Sequence, residues 1–494
     1  MNTIQTNKKA VVIGAGIAGI ASAIRLQLKG FEVTVYEKNP YPGGKLSVFQ
    51  LGDYRFDAGP SLFTMPQFVE ELFSLAGKKT ANYFEYVKHP TSCKYFWQDG
   101  TQLHAESDVQ KFAEKVQETF QIEEDVIVKK LQKAAFINET IGDLFLEQSL
   151  HQPSNFFNLK TLKSILKIRK FDLDKTLHQA NQKDIKHPKM VQLFDRFATY
   201  NGSNPYKTPG IMGIIPHYEH NVGTFFPTKG MNSITTSLVQ LAEDLGVKFQ
   251  YNEIVKEIIL DKSQKKVLGI ETENGKILAD VVFSNMDIYF TYHQLLPSFP
   301  KPIKTLLQER SSSAIVFYWG IRKEFKELDL HNIFFAEEYK AEFDAIFEQK
   351  TMYKDPTIYI NISSKICKED APHQSENWFV MVNAPANVGQ NWEELVANTK
   401  KNIIEKLNAH FKMDIESLIE CEEILDPKTI ESKTSSYQGS LYGTSSNSKF
   451  SAFLRHPNFK KNIKGLYFVG GSVHPGGGIP LCLLSAKIAT NHVS

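Results

Sequence analysis

The run Ala10-Val11-Val12-Ile13-Gly14-Ala15-Gly16-Ile17-Ala18-Gly19 is followed by a helical stretch and then by Phe31-Glu32-Val33-Thr34-Val35-Tyr36-Glu37-Lys38. Strand, glycine turn, helix, strand and terminal acid stand in the order of a complete βαβ dinucleotide-binding unit. Gly14 permits the tight turn off the first strand, Gly16 lets backbone approach a pyrophosphate, and Gly19 lets the helix sit close to the sheet. The helix beginning near Gly16 aims its free N–H groups and positive dipole end at the phosphates. Glu37 closes the second strand, where a carboxylate accepts hydrogen bonds from a ribose 2′-hydroxyl and disfavours a 2′-phosphate. The chain is therefore expected to hold an ADP-containing cofactor. Lys8-Lys9 ahead of the apolar run superficially resembles a secretory leader, but three internal glycines and the acid-ended strand argue against one.

The 494 residues are 42% hydrophobic, enough for two or three domains. A net charge of +2 implies no polyelectrolyte partner such as nucleic acid. Cys93, Cys367, Cys421 and Cys482 are far apart with no C-x-x-C pair, as expected of reduced thiols in the cytoplasm. No apolar run reaches the ~18 residues of a membrane span.

Further segments surround the first unit. Asn39-Pro40-Tyr41-Pro42-Gly43-Gly44-Lys45 is a turn whose glycine doublet and lysine could wrap a second side of the pyrophosphate, and Asp57-Ala58-Gly59-Pro60-Ser61 follows. From about residue 66 to 199 the pattern reads as helical and polar, without strand alternation. Strand signals return at 224–227, a helix is expected over 231–245, and strands over 247–251, 254–260, 267–272 and 281–285, with a hairpin at Asn274-Gly275. Residues 290–453 mix strands, such as 314–321 and 378–383, with a long helix over 392–411. Near the end, residues 465–471 form a strand running into glycines, and a helix is expected over 479–492. The cofactor domain is thus expected to be discontinuous, from 1–65, 224–289 and 455–494, with a helical insert at 66–223 and a substrate domain at 290–454.

No second G-x-G-x-x-G occurs, so no separate nicotinamide unit is evident and the electrons are expected to come from the substrate. The several separated glycine segments favour FAD over NAD, because a flavin needs a longer cradle. The C-terminal Val473-His474-Pro475-Gly476-Gly477-Gly478-Ile479-Pro480 would place a helix N-terminus against the flavin N1–C2=O edge and stabilise negative charge there. His474 could act as a base or simply be held by glycine-rich backbone, the second reading being preferred. His217 and His220 lack a third ligand, so no metal is expected, and no hydrolase motif is present. Residues 155–170 read as a basic amphipathic helix, with Lys160, Lys163, Lys167 and Lys170 on one face, suited to an anionic lipid interface or to the edge of a core.

Gly14-Ala15-Gly16-Ile17-Ala18-Gly19 with Glu37, Pro42-Gly43-Gly44-Lys45, Phe56-Asp57-Ala58-Gly59-Pro60-Ser61, Phe226-Pro227-Thr228-Lys229-Gly230-Met231, Ser284-Asn285-Met286-Asp287 and residues 469–480 resemble the bacterial phytoene desaturase-type carotenoid desaturases, in order along nearly the whole chain. The resemblance implies an α/β, amine-oxidase-like flavoprotein fold: a Rossmann-type FAD-binding domain, a mixed-sheet substrate domain and a helical membrane-facing insert. It implies flavin contacts from Gly14, Gly16, Gly19, Glu37 with Lys38, Gly43, Gly44, Lys45, Gly59, Pro60, Val255, Asn285, Gly470, Gly471, Ile479 and Pro480. The stretch from Arg196 to Tyr206 and Pro480-Leu481-Cys482-Leu483-Leu484 are more similar to the 1-hydroxycarotenoid 3,4-desaturase branch. That branch implies a hydroxylated acyclic or monocyclic, γ-carotene-type carotenoid as substrate, desaturated by hydride transfer to flavin. Oxygen or a quinone would take the electrons, on the inner face of the cell membrane. Lys229, His474 and Tyr200 are the candidate bases by motif proximity alone. Arg196, Tyr200 and Asn201 could bind a terminal hydroxyl or equally form an internal network. The alternatives are a phytoene- or lycopene-forming desaturase, a flavin-dependent carotenoid isomerase, an amine oxidase and a non-catalytic FAD module.

Overall fold

The computed structural model describes residues 8–152, 171–448, 451 and 453–493. The first strand, Lys9–Ile13, is apolar throughout after Lys9 because both of its faces are covered. Ala10 and Val12 face a helical layer with Ile17–Leu28, Ser233–Asp244 and Ile479–Asn491, while Val11 and Ile13 face a three-stranded antiparallel sheet of Val255–Leu260, Val267–Thr272 and Gly275–Leu278. This strand lies at the centre of a five-stranded parallel sheet ordered Leu466–Phe468, Val281–Ser284, Lys9–Ile13, Glu32–Tyr36, Lys248–Gln250. Its strands come from the beginning, middle and end of the chain.

The second layer system is a seven-stranded mixed sheet ordered Ile419–Leu425, Ser313–Ile321, Glu376–Ala384, Ile358–Ile362, His331–Phe334, Thr91–Phe96, Gln102–Glu106. Alternation sends Phe317, Trp319, Trp378 and Val380 into a core with Ile403, Ile404 and Leu407 of the helix Trp392–Phe411. Ala314, Val316, Tyr318 and Phe379 gather on the other face.

One expectation is corrected. Residues 66–199 are not free of strands: Thr91–Phe96 and Gln102–Glu106 form a hairpin, and the first of these pairs in parallel with His331–Phe334. The hairpin joins the block expected to be a helical insert to the substrate sheet, so a boundary at residue 223 does not separate them. Asp99-Gly100 in the connection, with Gly100 at φ +85°, is the turn signal for it. The helical remainder includes Glu124–Gly142, Leu177–Ile185 and Pro188–Asp195. The basic segment 155–170 lies outside the described residues. Among the described residues no helix is long and apolar enough to cross a membrane.

Candidate active site

The glycine turn is organised around Asn285, which follows the strand Val281–Ser284. A Cβ on Gly16 would stand 2.6 Å from one terminal atom of the Asn285 amide, and one on Gly470 would stand 2.6 Å from the other. Assigned from its hydrogen-bonding pattern, the Asn285 amide turns its oxygen toward the Gly16 and Gly19 N–H groups, at 3.2 and 3.3 Å. Gly19 is required for a different contact: a Cβ there would lie 2.0 Å from the Gly14 carbonyl oxygen. Gly16 has no side chain with which to cap the helix Ile17–Leu28, so the N–H groups of its first turn that Asn285 does not take are left for an anion.

Around this turn, the Gly43 N–H donates to Ala15 O at 2.8 Å, and a Cβ on Gly59 would stand 1.9 Å from Lys45 O. Glu37 is buried, accepting from the N–H groups of Ala15 at 2.8 Å and Asn39 at 2.9 Å. On the opposite side, Gly470 turns at φ +105° and the helix Ile479–Asn491 begins after Gly478 with no side-chain cap and Pro480 in its first turn. Gly14, Gly16, Glu37, Lys38, Gly43, Gly44, Lys45, Gly59, Pro60, Val255, Asn285, Gly470, Gly471, Ile479 and Pro480 all line one cavity of about 920 Å³. Gly19 is not among the lining residues. It packs the helix from behind.

Both lysines are tied down. Lys38 donates its ammonium to Ser432 O and Ser435 Oγ, each at 2.9 Å. Lys45 donates to Ser440 O at 3.0 Å and Leu441 O at 2.9 Å, and burial pushes its pKa down to about 8. Neither lysine therefore offers a free ammonium to the cavity.

Away from the glycines the same cavity is walled by apolar side chains, among them Ile141, Leu146, Ile211, Met212, Ile333 and Phe379. A buried polar cluster interrupts that wall. Arg196 donates through Nη2 to Tyr95 Oη at 2.7 Å and to both Glu219 oxygens at 3.2 and 3.3 Å, and through Nη1 to Tyr200 Oη at 3.3 Å. Tyr200 donates in turn to Glu219. Charge pairing with Arg196 holds Glu219 below the usual carboxylate range despite burial. Sequence reasoning missed Glu219 as a partner of Arg196. It had considered His217 and His220 on either side of it as ligands. His220 instead stacks on Phe112 at 4.5 Å, and His217 meets Asn138 and Asn221. Among the described residues no group of His, Cys, Asp or Glu side chains is placed to hold a metal.

The three candidate bases fare differently. Lys229 is exposed and absent from the cavity lining, so proximity in sequence to Phe226-Pro227 misplaced it. His474 lines the cavity, but its Nε2 donates to Gln148 O at 2.8 Å and burial pushes its pKa down to about 4, which leaves a neutral, weakly basic ring. Tyr200 lines the cavity with its hydroxyl bound to Glu219, and burial raises its pKa well above the ordinary value.

A family model described as flavin containing amine oxidoreductase matches residues 17–494. The chain belongs to that family. The chain is 54% identical over 484 residues, 98% of each chain, to a protein of a Flavobacterium species named 1-hydroxycarotenoid 3,4-desaturase. It is 30% identical over 499 residues, 98% of this chain and 85% of the relative, to a phytoene desaturase of Phycomyces blakesleeanus. Among solved structures, a redesigned putrescine oxidase superposes with a TM-score of 0.63 at 12% identity, covering 99% of this chain and 98% of its own. Cyclohexylamine oxidase from Brevibacterium oxydans gives 0.59 at 15% identity, with 98% of both chains covered. These two share the fold. The oxidoreductase uses FAD, and the cradle fits it: two helix N-termini whose N-cap residues are glycines without a side-chain cap, glycines such as Gly16, Gly43, Gly59 and Gly470 at which a Cβ would clash, and a buried carboxylate at the end of the second strand.

Proposed function

We propose that this oxidoreductase desaturates a 1-hydroxylated acyclic or monocyclic carotenoid, removing two hydrogens from C3 and C4 so that a new double bond joins the polyene. The observation that carries this reading is one continuous cavity, bordered by the glycine cradle, walled by apolar side chains and interrupted by a buried polar cluster. The name of the Flavobacterium relative supports the same substrate class. FAD, when bound, supplies the acceptor for a hydride. Gly14, Gly16, Gly43, Gly44, Gly59, Gly470 and Gly471 let backbone approach that cofactor, with Glu37 at its ribose and Val255, Ile479 and Pro480 beside it. Ile141, Leu146, Ile211 and Met212 exclude water from the reacting carbons. Conjugation stabilises positive charge developing on the substrate, so the second hydrogen leaves as a proton without a strong base. None of the three candidate bases supplies one.

An apolar substrate of this length resides in lipid, and segment 155–170, whose sequence interleaves Lys160, Lys163, Lys167 and Lys170 with apolar residues, would dock the enzyme on the inner face of the cell membrane. Electrons would pass from the cofactor to oxygen or a membrane quinone. Expression in cells that accumulate defined carotenoids tests the reading. Hydroxylated precursors should give a red-shifted pigment with one more conjugated double bond, and non-hydroxylated ones should not. Conversion of phytoene would assign a phytoene desaturase instead. Altered geometry with an unchanged number of double bonds would assign an isomerase.

A further inference from the structure

The polar groups of the cavity fall into those already engaged and those without a partner. Arg196, Tyr200 and Glu219 largely satisfy one another. Of the two readings of Arg196, a partner for a substrate hydroxyl or a member of an internal network, its terminal nitrogens take the second, and only Nε lacks a partner among the described residues. His331 differs. It opens the strand His331–Phe334 of the seven-stranded sheet, lines the cavity and is 3% exposed. Its Nδ1 meets Tyr359 Oη at 2.7 Å and Asn361 Nδ2 at 3.3 Å. The Asn361 amide is oriented by a 2.9 Å bond from the same nitrogen to Leu330 O, so that nitrogen is a donor. Nδ1 must then accept, Tyr359 Oη donates to it, and the ring proton sits on Nε2. Tyr359 Oη in turn accepts from Ser61 Oγ at 2.8 Å, two residues beyond Gly59 of the cradle. This chain fixes one tautomer, whose Nε2–H has no partner among the described residues. Burial, with Arg196 and His89 nearby, pushes the imidazole pKa down to about 3 and keeps the ring neutral.

A second cavity residue has the complementary deficit. Asn201 donates from Nδ2 to Ser446 Oγ at 3.3 Å, while its Oδ1 has no partner among the described residues. Beside the polar cluster of the cavity, the Nε2–H of His331 and the Nε–H of Arg196 as donors and the Asn201 Oδ1 as acceptor lack partners among the described residues, which suits a group that can both accept and donate, such as an alcohol.

We propose that His331 is the specificity-determining residue for the substrate hydroxyl, its Nε2–H donating to the oxygen on C1. This rests on the function proposed above and deepens it. One carbon separates C1 from C3, so a hydroxyl held beside the Ser61–Tyr359 chain sets the C3–C4 bond at the adjacent cradle. A carotenoid without the hydroxyl leaves the imidazole N–H unpaired and is not held in register.

The test uses the FAD-loaded full chain with a 1-hydroxylated carotenoid and its 1-deoxy counterpart, both in the same liposomes. The wild type should prefer the hydroxylated substrate, and if it does not, the functional reading itself fails. Given that preference, His331→Leu should lower kcat/KM for the hydroxylated substrate by about 10- to 100-fold and leave the 1-deoxy substrate unaffected. Flavin content should not change, and His331→Gln, which keeps an N–H donor, should recover part of the loss. An equal loss on both substrates, or none, overturns the proposal while leaving the reading intact. Should His331→Leu fail to fold, Tyr359→Phe decides. Freeing the tautomer should cost the hydroxylated substrate selectively, and an unselective effect overturns the assignment.

Discussion

At Glu342 a carboxyl group is buried to 1% exposure, with Oε1 accepting from the Thr357 N–H at 2.9 Å and Oε2 from Thr357 Oγ1 at 2.6 Å. Burial outweighs those bonds and raises its pKa from 4.5 to about 7. Between these values the folded chain keeps a proton that the unfolded chain has lost. The stabilisation is therefore complete below pH 4.5 and gone above about 7. Urea titrations should show wild-type stability falling by about 3 kcal/mol across this window relative to Glu342→Gln. Parallel curves for the two proteins would refute the shift. Residues of this kind were not legible in the sequence. Gly14, Gly16 and Glu37 announce themselves because backbone geometry demands their residue types at fixed spacing. His331, Glu219 and Glu342 acquire their character only from neighbours far away in the chain. Lys229 shows the converse error, a motif neighbour that folding leaves in solvent.

Elements defined by periodicity were readable, and their linkage was not. The helix Trp392–Phe411 and the strand Val267–Thr272 have the bounds that their apolar spacing predicts. The Thr91–Glu106 hairpin was missed because Thr91–Phe96 is largely buried and does not alternate cleanly. A less visible linkage joins two of the quoted motifs. The helix Ser233–Asp244 has no side-chain cap of its own at Asn232. Asp57 supplies one from far upstream, accepting from the Met231 N–H at 2.8 Å and the Asn232 N–H at 2.9 Å while pairing with Arg55 at 3.0 Å. Asn232 and Thr235 then bond Leu46 O, both at 2.9 Å, next to the Gly43–Lys45 turn. Asp57→Ala, which leaves these N–H groups without their acceptor and Arg55 with Asp370 alone, should destabilise the fold by about 2–4 kcal/mol. Chemical denaturation would measure it, and a change below about 0.5 kcal/mol would show that the cap is dispensable.

For the whole molecule, the α/β flavoprotein architecture was legible from the order of its motifs, whereas the course of the cavity was not, because apolar walls come from several elements without a common pattern. Since the FAD cradle joins both ends of the chain to its middle, the cofactor should bind only the assembled fold. Free FAD at a hundred times its dissociation constant should stabilise the apoprotein by about 2.7 kcal/mol, read as a rising melting temperature on titration. A melting temperature indifferent to FAD would mean that the cradle does not close around it. The position of Leu466–Phe468 at one edge of the parallel sheet, beside Val281–Ser284, also orders events during protein synthesis. Until Leu466–Phe468 has left the ribosome, Val281–Ser284 presents an unpaired hydrophobic edge and the second glycine turn does not exist. A nascent chain of this enzyme thus cannot acquire colour before that edge strand has been made.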